Sequence, residues 1–210
     1  GFGAQAASAS LAAVAAVLCF SVTYARCCEH RSWGMALIAA TAAWSLAVLM
    51  LSVLPLGNSA VTALVAVVAL WVAPRAFPVV QAAPGSRPLT ALDLGVRMVV
   101  GALLTLLITG VAAALGAGWS GLVTTYPVLT SVMAVSSHRS QGAAFTAALL
   151  RAMVPGLYAF AGFCAGLAWL LPRAGTSASL IGAIVAALAT QAAVRGTVGG
   201  LLRGTGARTG

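Results

Sequence analysis

Residues 143–171 read AAFTAALLRAMVPGLYAFAGFCAGLAWLL, an apolar run interrupted by a single charged side chain, Arg151. A helix that crosses a bilayer needs about 20 mainly apolar residues, and this stretch exceeds that length. The whole chain has the same character: of 210 residues, 61% are hydrophobic and 6% charged, where a soluble domain is about 25% charged. No soluble fold hides so much apolar surface. The reading is an all-α, polytopic membrane protein with the lipid bilayer as its solvent.

Working outward from that run, seven apolar segments lie near 3–25, 34–54, 59–75, 91–115, 121–137, 143–171 and 177–198, so about seven transmembrane helices are expected. The breaks between them are chemically distinct: RCCEHRSW (26–33), LPLGN (54–58), PRAFPVVQAAPGSRP (74–88), GAGWSG (116–121), SSHRSQG (136–142) and PRAGTS (172–177). The Gly- and Arg-rich end, 199–210, reads as a flexible tail. No basic n-region precedes the first apolar run, so it does not read as an intact signal peptide. The numbering is expected to begin inside a longer or processed chain.

All eleven basic residues are Arg, against two acids, Glu29 and Asp93, for a formal charge of +9. Arginines that bind nucleic acid cluster with aromatics on one soluble face; these do not, so nucleic acid is not a partner. They sort by loop instead. With seven spans, Arg26, Arg31, Arg75, Arg87, Arg139, Arg195, Arg203 and Arg208 share one side, and Arg173 alone lies on the other. Cytoplasmic loops accumulate Lys and Arg, which puts the N-terminus outside and the C-terminus inside. Trp33, Trp44, Trp71, Trp119 and Trp169 mostly fall near span ends, as interfacial anchors do. The cysteines, Cys19, Cys27, Cys28 and Cys164, lack the spacing of a zinc or redox motif and read as structural thiols.

A faint internal repeat is present. Sliding 3–25 against 143–165 pairs Ala4/Ala144, Ala7/Ala147, Ala12/Ala152, Val14/Val154, Phe20/Phe160 and Ala25/Ala165; the next spans pair Leu37/Leu180, Ile38/Ile181, Ala40/Ala183 and Ala43/Ala186. The odd span at 59–75 inverts one copy against the other, an arrangement used by transporters. In this scheme residues 1–58 are a partial first repeat of two helices and 59–90 a linker helix with a cytoplasmic loop. Residues 91–198 then form a four-helix unit.

The segment 120–139, SGLVTTYPVLTSVMAVSSHR, is apolar yet short, hydroxyl-rich and split by Pro127. Proline lacks an amide donor and frees carbonyls of the preceding turn. In lipid such groups survive only against protein or a wet cavity. Thr124, Thr125, Tyr126, Thr130 and Ser131 are therefore candidate solute ligands, or alternatively bond back to their own backbone. Arg151 lies ten residues past Gln141, about 15 Å deep at 1.5 Å per residue, near the midplane. A charge there needs a partner or water, so it is expected to turn inward, with Pro155 loosening the helix beside it. It is either an anion site or a cation satisfied by carbonyls at a helix interface. Asp93 and Arg97, four apart, share a helix face and can pair, structurally or as a gate. His138 could sense pH or, beside Arg139, contact headgroups. Gly162-x-x-x-Gly166 is a close-packing motif.

The sequence shows no carboxylate at membrane depth, no phosphate-binding loop, no metal-ligand cluster and no nucleophile–base pair. An enzyme is not expected, nor a cofactor.

Residues 120–172 resemble the GlpM-like family of small bacterial inner-membrane proteins. There an S/A-G-L-x-x-x-F-P element follows the first helix, and a polar turn and two further helices complete a four-span unit. The matching positions are Ser120, Gly121, Leu122, Tyr126 and Pro127, with Tyr126 where the family usually has Phe; the similarity covers about 91–198. The resemblance implies a bacterial inner membrane and a suggested link to exopolysaccharide production, and carries no catalytic residues. Two functions stand open. One is a permease-like transporter for a small, anionic solute, with Arg151 and the hydroxyls as ligands and Gly121, Pro127, Pro155, Asp93, Arg97, His138 and Arg139 as structural or gating residues. The other is a non-transporting scaffold or accessory subunit for envelope or polysaccharide assembly. Either could act as a homo-oligomer.

Overall fold

The computed structural model describes residues 2–53, 59–78, 91–115 and 126–206, and their regular structure is helical throughout. The helices are α1 (Phe2–Cys27), α2 (Trp33–Ser52), α3 (Ser59–Ala76), α4 (Ala91–Leu115), α5 (Val128–Gln141) and α6 (Ala143–Gly206). Three stretches are long and apolar enough to cross a membrane: Ala9–Cys27, Trp33–Ser52 and Ala143–Gly196. Ala60–Ala76 and Leu94–Gly110 are shorter apolar helices.

The 54 residues of Ala143–Gly196 would reach about 80 Å as one straight helix, more than twice the hydrocarbon thickness of about 30 Å. They do not run straight. Gly175 adopts φ 72° and ψ 171°, a left-handed region where only glycine avoids a Cβ clash, and Pro172 stands one turn before it. The chain then doubles back on itself. Gly166 lies against Ala183 and Ala186, Gly162 against Ala186 and Thr190, and Gly182 against Leu170, a register in which each step forward on one limb is matched by a step back on the other. The expected break in PRAGTS is thus the apex of an antiparallel helical hairpin. The Gly162-x-x-x-Gly166 motif lets its limbs approach.

The chain forms two compact units. One comprises Gly1–Val14, Pro55–Leu70 and Met153–Gly210. Its centre is this hairpin, and Tyr158 donates from its hydroxyl to the Leu70 carbonyl at 2.6 Å. A cavity of about 610 Å³ in this unit is lined by Leu11, Thr62, Ala165, Trp169, Pro172 and Arg173, among others.

The other unit comprises Ala15–Leu54 and Trp71–Ala152. Within it α5 packs against both α2 and α4. The end of α1 is tied to the end of α3 by Arg26, whose Nε donates to the Ala76 carbonyl at 2.7 Å. Between α1 and α2 the Cys28 thiol is buried and hydrogen-bonded to the Ala25 carbonyl, and burial pushes it up to about 11. A thiol so protonated is unreactive, as the reading of structural thiols expects. All four cysteines are free.

The packing pattern inverts that of a water-soluble protein. Small residues fill the interior, including Ala16, Ala36, Ala40, Ala134 and Ala147, while Met98, Leu103, Leu106 and Leu107 of α4 and Ile181, Val185 and Leu188 of α6 face outward. An apolar exterior of this extent is suited to lipid contact. Several buried hydroxyls are returned to nearby backbone, as where Ser21 donates to the Val17 carbonyl at 2.8 Å and Thr146 to Gly142 at 2.9 Å, while Ser137 Oγ is buried without a partner among the described residues. Three cation–aromatic pairs dress the exposed surface: Arg75 over Trp71, Arg139 over Trp33 and Arg173 over Trp169. Trp44 departs from the interfacial pattern. It is buried in α2, edge-on to Tyr126 with ring centroids 5.1 Å apart.

Candidate functional site

Pro127 does not kink a longer helix. It is the N-cap of α5 (φ −78°, ψ 68°), where its missing amide is one the first turn leaves unpaired anyway, and its carbonyl accepts from the Ser131 amide at 2.9 Å. The break of the 120–139 segment is therefore a helix start. From it α5 runs 14 residues to Gln141, and Gly142, at φ 88°, turns the chain directly into α6. Gly121, Thr124 and Thr125 lie outside the described residues, as does the side chain of Asp93.

Tyr126 stands at the mouth of α5 and organises an aromatic cluster. Its ring meets Phe20 edge-on at 6.1 Å and Trp44 at 5.1 Å. Its hydroxyl lies 3.3 Å from Thr41 Oγ1. Thr41 and Trp44, three apart, share one face of α2, and the indole Nε1 is buried without a hydrogen-bond partner among the described residues. At the other end of α5, His138 lies half-buried with Nδ1 3.3 Å from the Tyr24 hydroxyl and its ring edge-on to Tyr24. Burial lowers its pKa below the ordinary 6.5. His138 thus faces the interior rather than the headgroups, although Arg139, next in sequence, is exposed.

A groove of about 240 Å³ runs between α2, α4 and α5. Its polar lining is Arg97, Arg139, Tyr126, Ser131 and Ser136; Leu37, Val96, Val100, Leu104, Val132 and Val135 supply the rest. No carboxylate is among these residues. Arg97 is half-buried with Nη1 3.9 Å from Met133 Sδ, and Arg139 lies 5.5 Å from the Trp33 ring centroid. Ser131 and Ser136 currently donate within α5, to Val128 at 2.8 Å and Met133 at 3.3 Å. This is the local satisfaction weighed against ligand binding at the sequence level. Thr130 is buried but is not part of the groove lining.

Arg151 is the main departure from expectation. It does not turn towards Thr130 or Tyr126; it is exposed. The inward stripe of α6 is Ala147, Leu150, Val154, Ala161 and Cys164, a helical spacing of three and four, and Arg151 lies one residue, about 100°, round from Leu150. Facing outward, the cation needs water, a headgroup or a polar partner at its depth, towards which its long stem can extend. Pro155 leaves the Arg151 carbonyl without its amide partner four residues on, so the irregularity and the charge coincide in sequence. The groove residues that sequence reasoning missed are Ser136 and the aliphatic wall. Their only sequence signal was helical spacing along segments apolar on every side.

No family model, curated protein or solved structure matches the chain. Fold and surface nevertheless point to a class: a helical, multi-pass membrane protein, with three helices among the described residues long and apolar enough to cross a membrane.

Proposed function

We propose that this chain is a permease-like inner-membrane protein that binds a small anionic solute in the groove between α2, α4 and α5. The observation that carries this reading is that Arg97, Arg139 and three hydroxyl-bearing residues line one concavity, with no acid among its described lining residues. Arginine forks suit carboxylate and phosphate oxygens. Arg151 has no part in this site. The hairpin at Gly175 supports seven spans, and the arginine distribution supports an outside N-terminus and a cytoplasmic C-terminus. The GlpM-like resemblance through Tyr126 and Pro127 adds the bacterial inner membrane.

Burial gives the inverted repeat mixed support. Ala7/Ala147, Val14/Val154 and Ala40/Ala183 are buried in both copies, and Ile38/Ile181 are equally exposed. Phe20 is buried where Phe160 is exposed, and buried Leu11 answers to exposed Arg151. The shared positions fit two helix pairs built on one pattern, from which Arg151 and Phe160, nine residues or about 180° apart, depart on opposite faces.

The second reading, a scaffold or accessory subunit for envelope assembly, is favoured by the outward Arg151 and the unbroken apolar face of α4. Reconstituted vesicles separate the two. Transport predicts anion flux that Arg97→Gln and Arg139→Gln each reduce at least about tenfold. Unchanged flux in both variants, or no flux above empty vesicles, removes the transport reading.

A further inference from the structure

We infer that the groove is a lateral site for an anionic phospholipid, its phosphate held between Arg97 and Arg139 and an acyl chain laid along the aliphatic wall towards Tyr126. The inference rests on the groove being the binding site and names the class of its ligand.

The lining is sorted by chemistry along its length. Arg97 lies in the second turn of α4 and Arg139 in the last turn of α5. Leu104, seven residues beyond Arg97, is about 10 Å further along, and Tyr126 is about 20 Å from Arg139 at the start of α5. Between these ends the wall is Leu37, Val100, Leu104, Val132 and Val135. A small soluble anion would use the cations and leave this wall dewetted. An amphiphile uses both.

The groove also opens in the right direction. Val96 and Val100 line it and are 55% and 46% exposed. Its open side is therefore continuous with the apolar outer face of α4, where Val99 and Leu103 are also exposed. A ligand entering there comes from lipid, without first crossing water. Trp33 beside Arg139 sets the cationic end at headgroup level, where tryptophan concentrates. Charge selects the headgroup: two cations attract an anionic phosphodiester, whereas a choline headgroup brings a third cation to the site.

Native mass spectrometry of the full chain in detergent, titrated with phosphatidylglycerol or phosphatidylcholine, tests this directly. Phosphatidylglycerol should bind at least about tenfold tighter than phosphatidylcholine, and Arg97→Gln or Arg139→Gln should each remove most of that preference. Arg97→Lys should keep part of it. Val100→Trp, an exposed position, should block lipid while leaving the thermal midpoint unchanged, and Arg173→Gln, in the other unit, should change nothing. Equal binding of the two lipids, or full phosphatidylglycerol affinity in both glutamine variants, overturns the inference. Displacement of the lipid by glycerol 3-phosphate or inorganic phosphate at equal concentration also overturns it, and leaves the soluble-anion reading standing. If neither the lipid nor the phosphates bind, both readings fall.

Discussion

Substituting the glycines of the α6 hairpin should produce a graded series set by what each new Cβ would meet. At Gly166 it would lie 3.2 Å from Ala183 Cα and 3.2 Å from Ala186 Cβ, inside the 3.5–4.0 Å optimum for carbon pairs. Neither atom belongs to a side chain that can rotate away, so the limbs must separate. Overpacking of this kind costs about 1–3 kcal/mol, offset by about 1 kcal/mol of helix propensity gained over glycine. Gly166→Ala should therefore destabilise by about 0–2 kcal/mol, and Gly166→Leu by about 3 kcal/mol or more. At Gly162 the new Cβ would meet the Thr190 hydroxyl, which donates to the Ala186 carbonyl at 2.8 Å, and lie 3.1 Å from Thr190 Cβ and 3.3 Å from the Ala186 carbonyl oxygen. Gly162→Ala must displace that hydroxyl, a loss of about 1 kcal/mol, and Thr190→Ala in the same chain should recover much of it. Gly182→Ala meets only the tip of Leu170, a methyl that can swing aside, and Gly156→Ala meets nothing within 4 Å; both should be neutral or slightly stabilising. Unfolding midpoints in one detergent, by tryptophan fluorescence, provide the ranking. If Gly166→Leu unfolds with Gly156→Leu, or the Gly162/Thr190 pair shows no coupling, the limbs do not pack in this register.

Arg151→Leu should leave stability within about 0.5 kcal/mol, as for other surface substitutions, and anion flux unchanged; a tenfold loss of flux would return Arg151 to the pathway. His138 is held neutral by burial, its folded pKa below 6.5. Its stabilising contribution is full above that ordinary value and is lost as pH falls through the lowered one. Unfolding midpoints should drop as pH falls below about 6.5, and His138→Gln should flatten that slope; an unaltered slope would assign it to other groups. For topology, an impermeant thiol reagent applied outside cells should modify Thr176→Cys and miss Ser140→Cys in a cysteine-free background, and the opposite pattern would reverse the orientation.

The gross class and the chain breaks near 28–32, 142 and 172–175 were legible in the sequence because they depend on local properties; the breaks at 54–58, 79–88 and 116–121 lie outside the described residues. Arg151 alone cannot make 143–171 soluble, and Pro172 with Gly175 must end a helix wherever the neighbours lie. The pairing of Trp33, Trp71 and Trp169 with arginines was half-visible, since tryptophans at span ends have few apolar alternatives. Pro127 was read as a break correctly, but not as a helix start, because the same missing amide serves a kink or a cap and only the chain on its two sides decides. Which way Arg151 points, and that Arg97 and Arg139 share a groove, required the tertiary structure. In a water-soluble helix the apolar stripe announces the inward face; here lipid makes the outside apolar too, so α4 and α6 carry almost no periodic contrast to orient them. Rotation about the helix axis is then decided by how side chains fit their neighbours: α6 buries Leu150 and Val154 along with Ala147, and leaves Ala152 and Gly156 outside with Arg151.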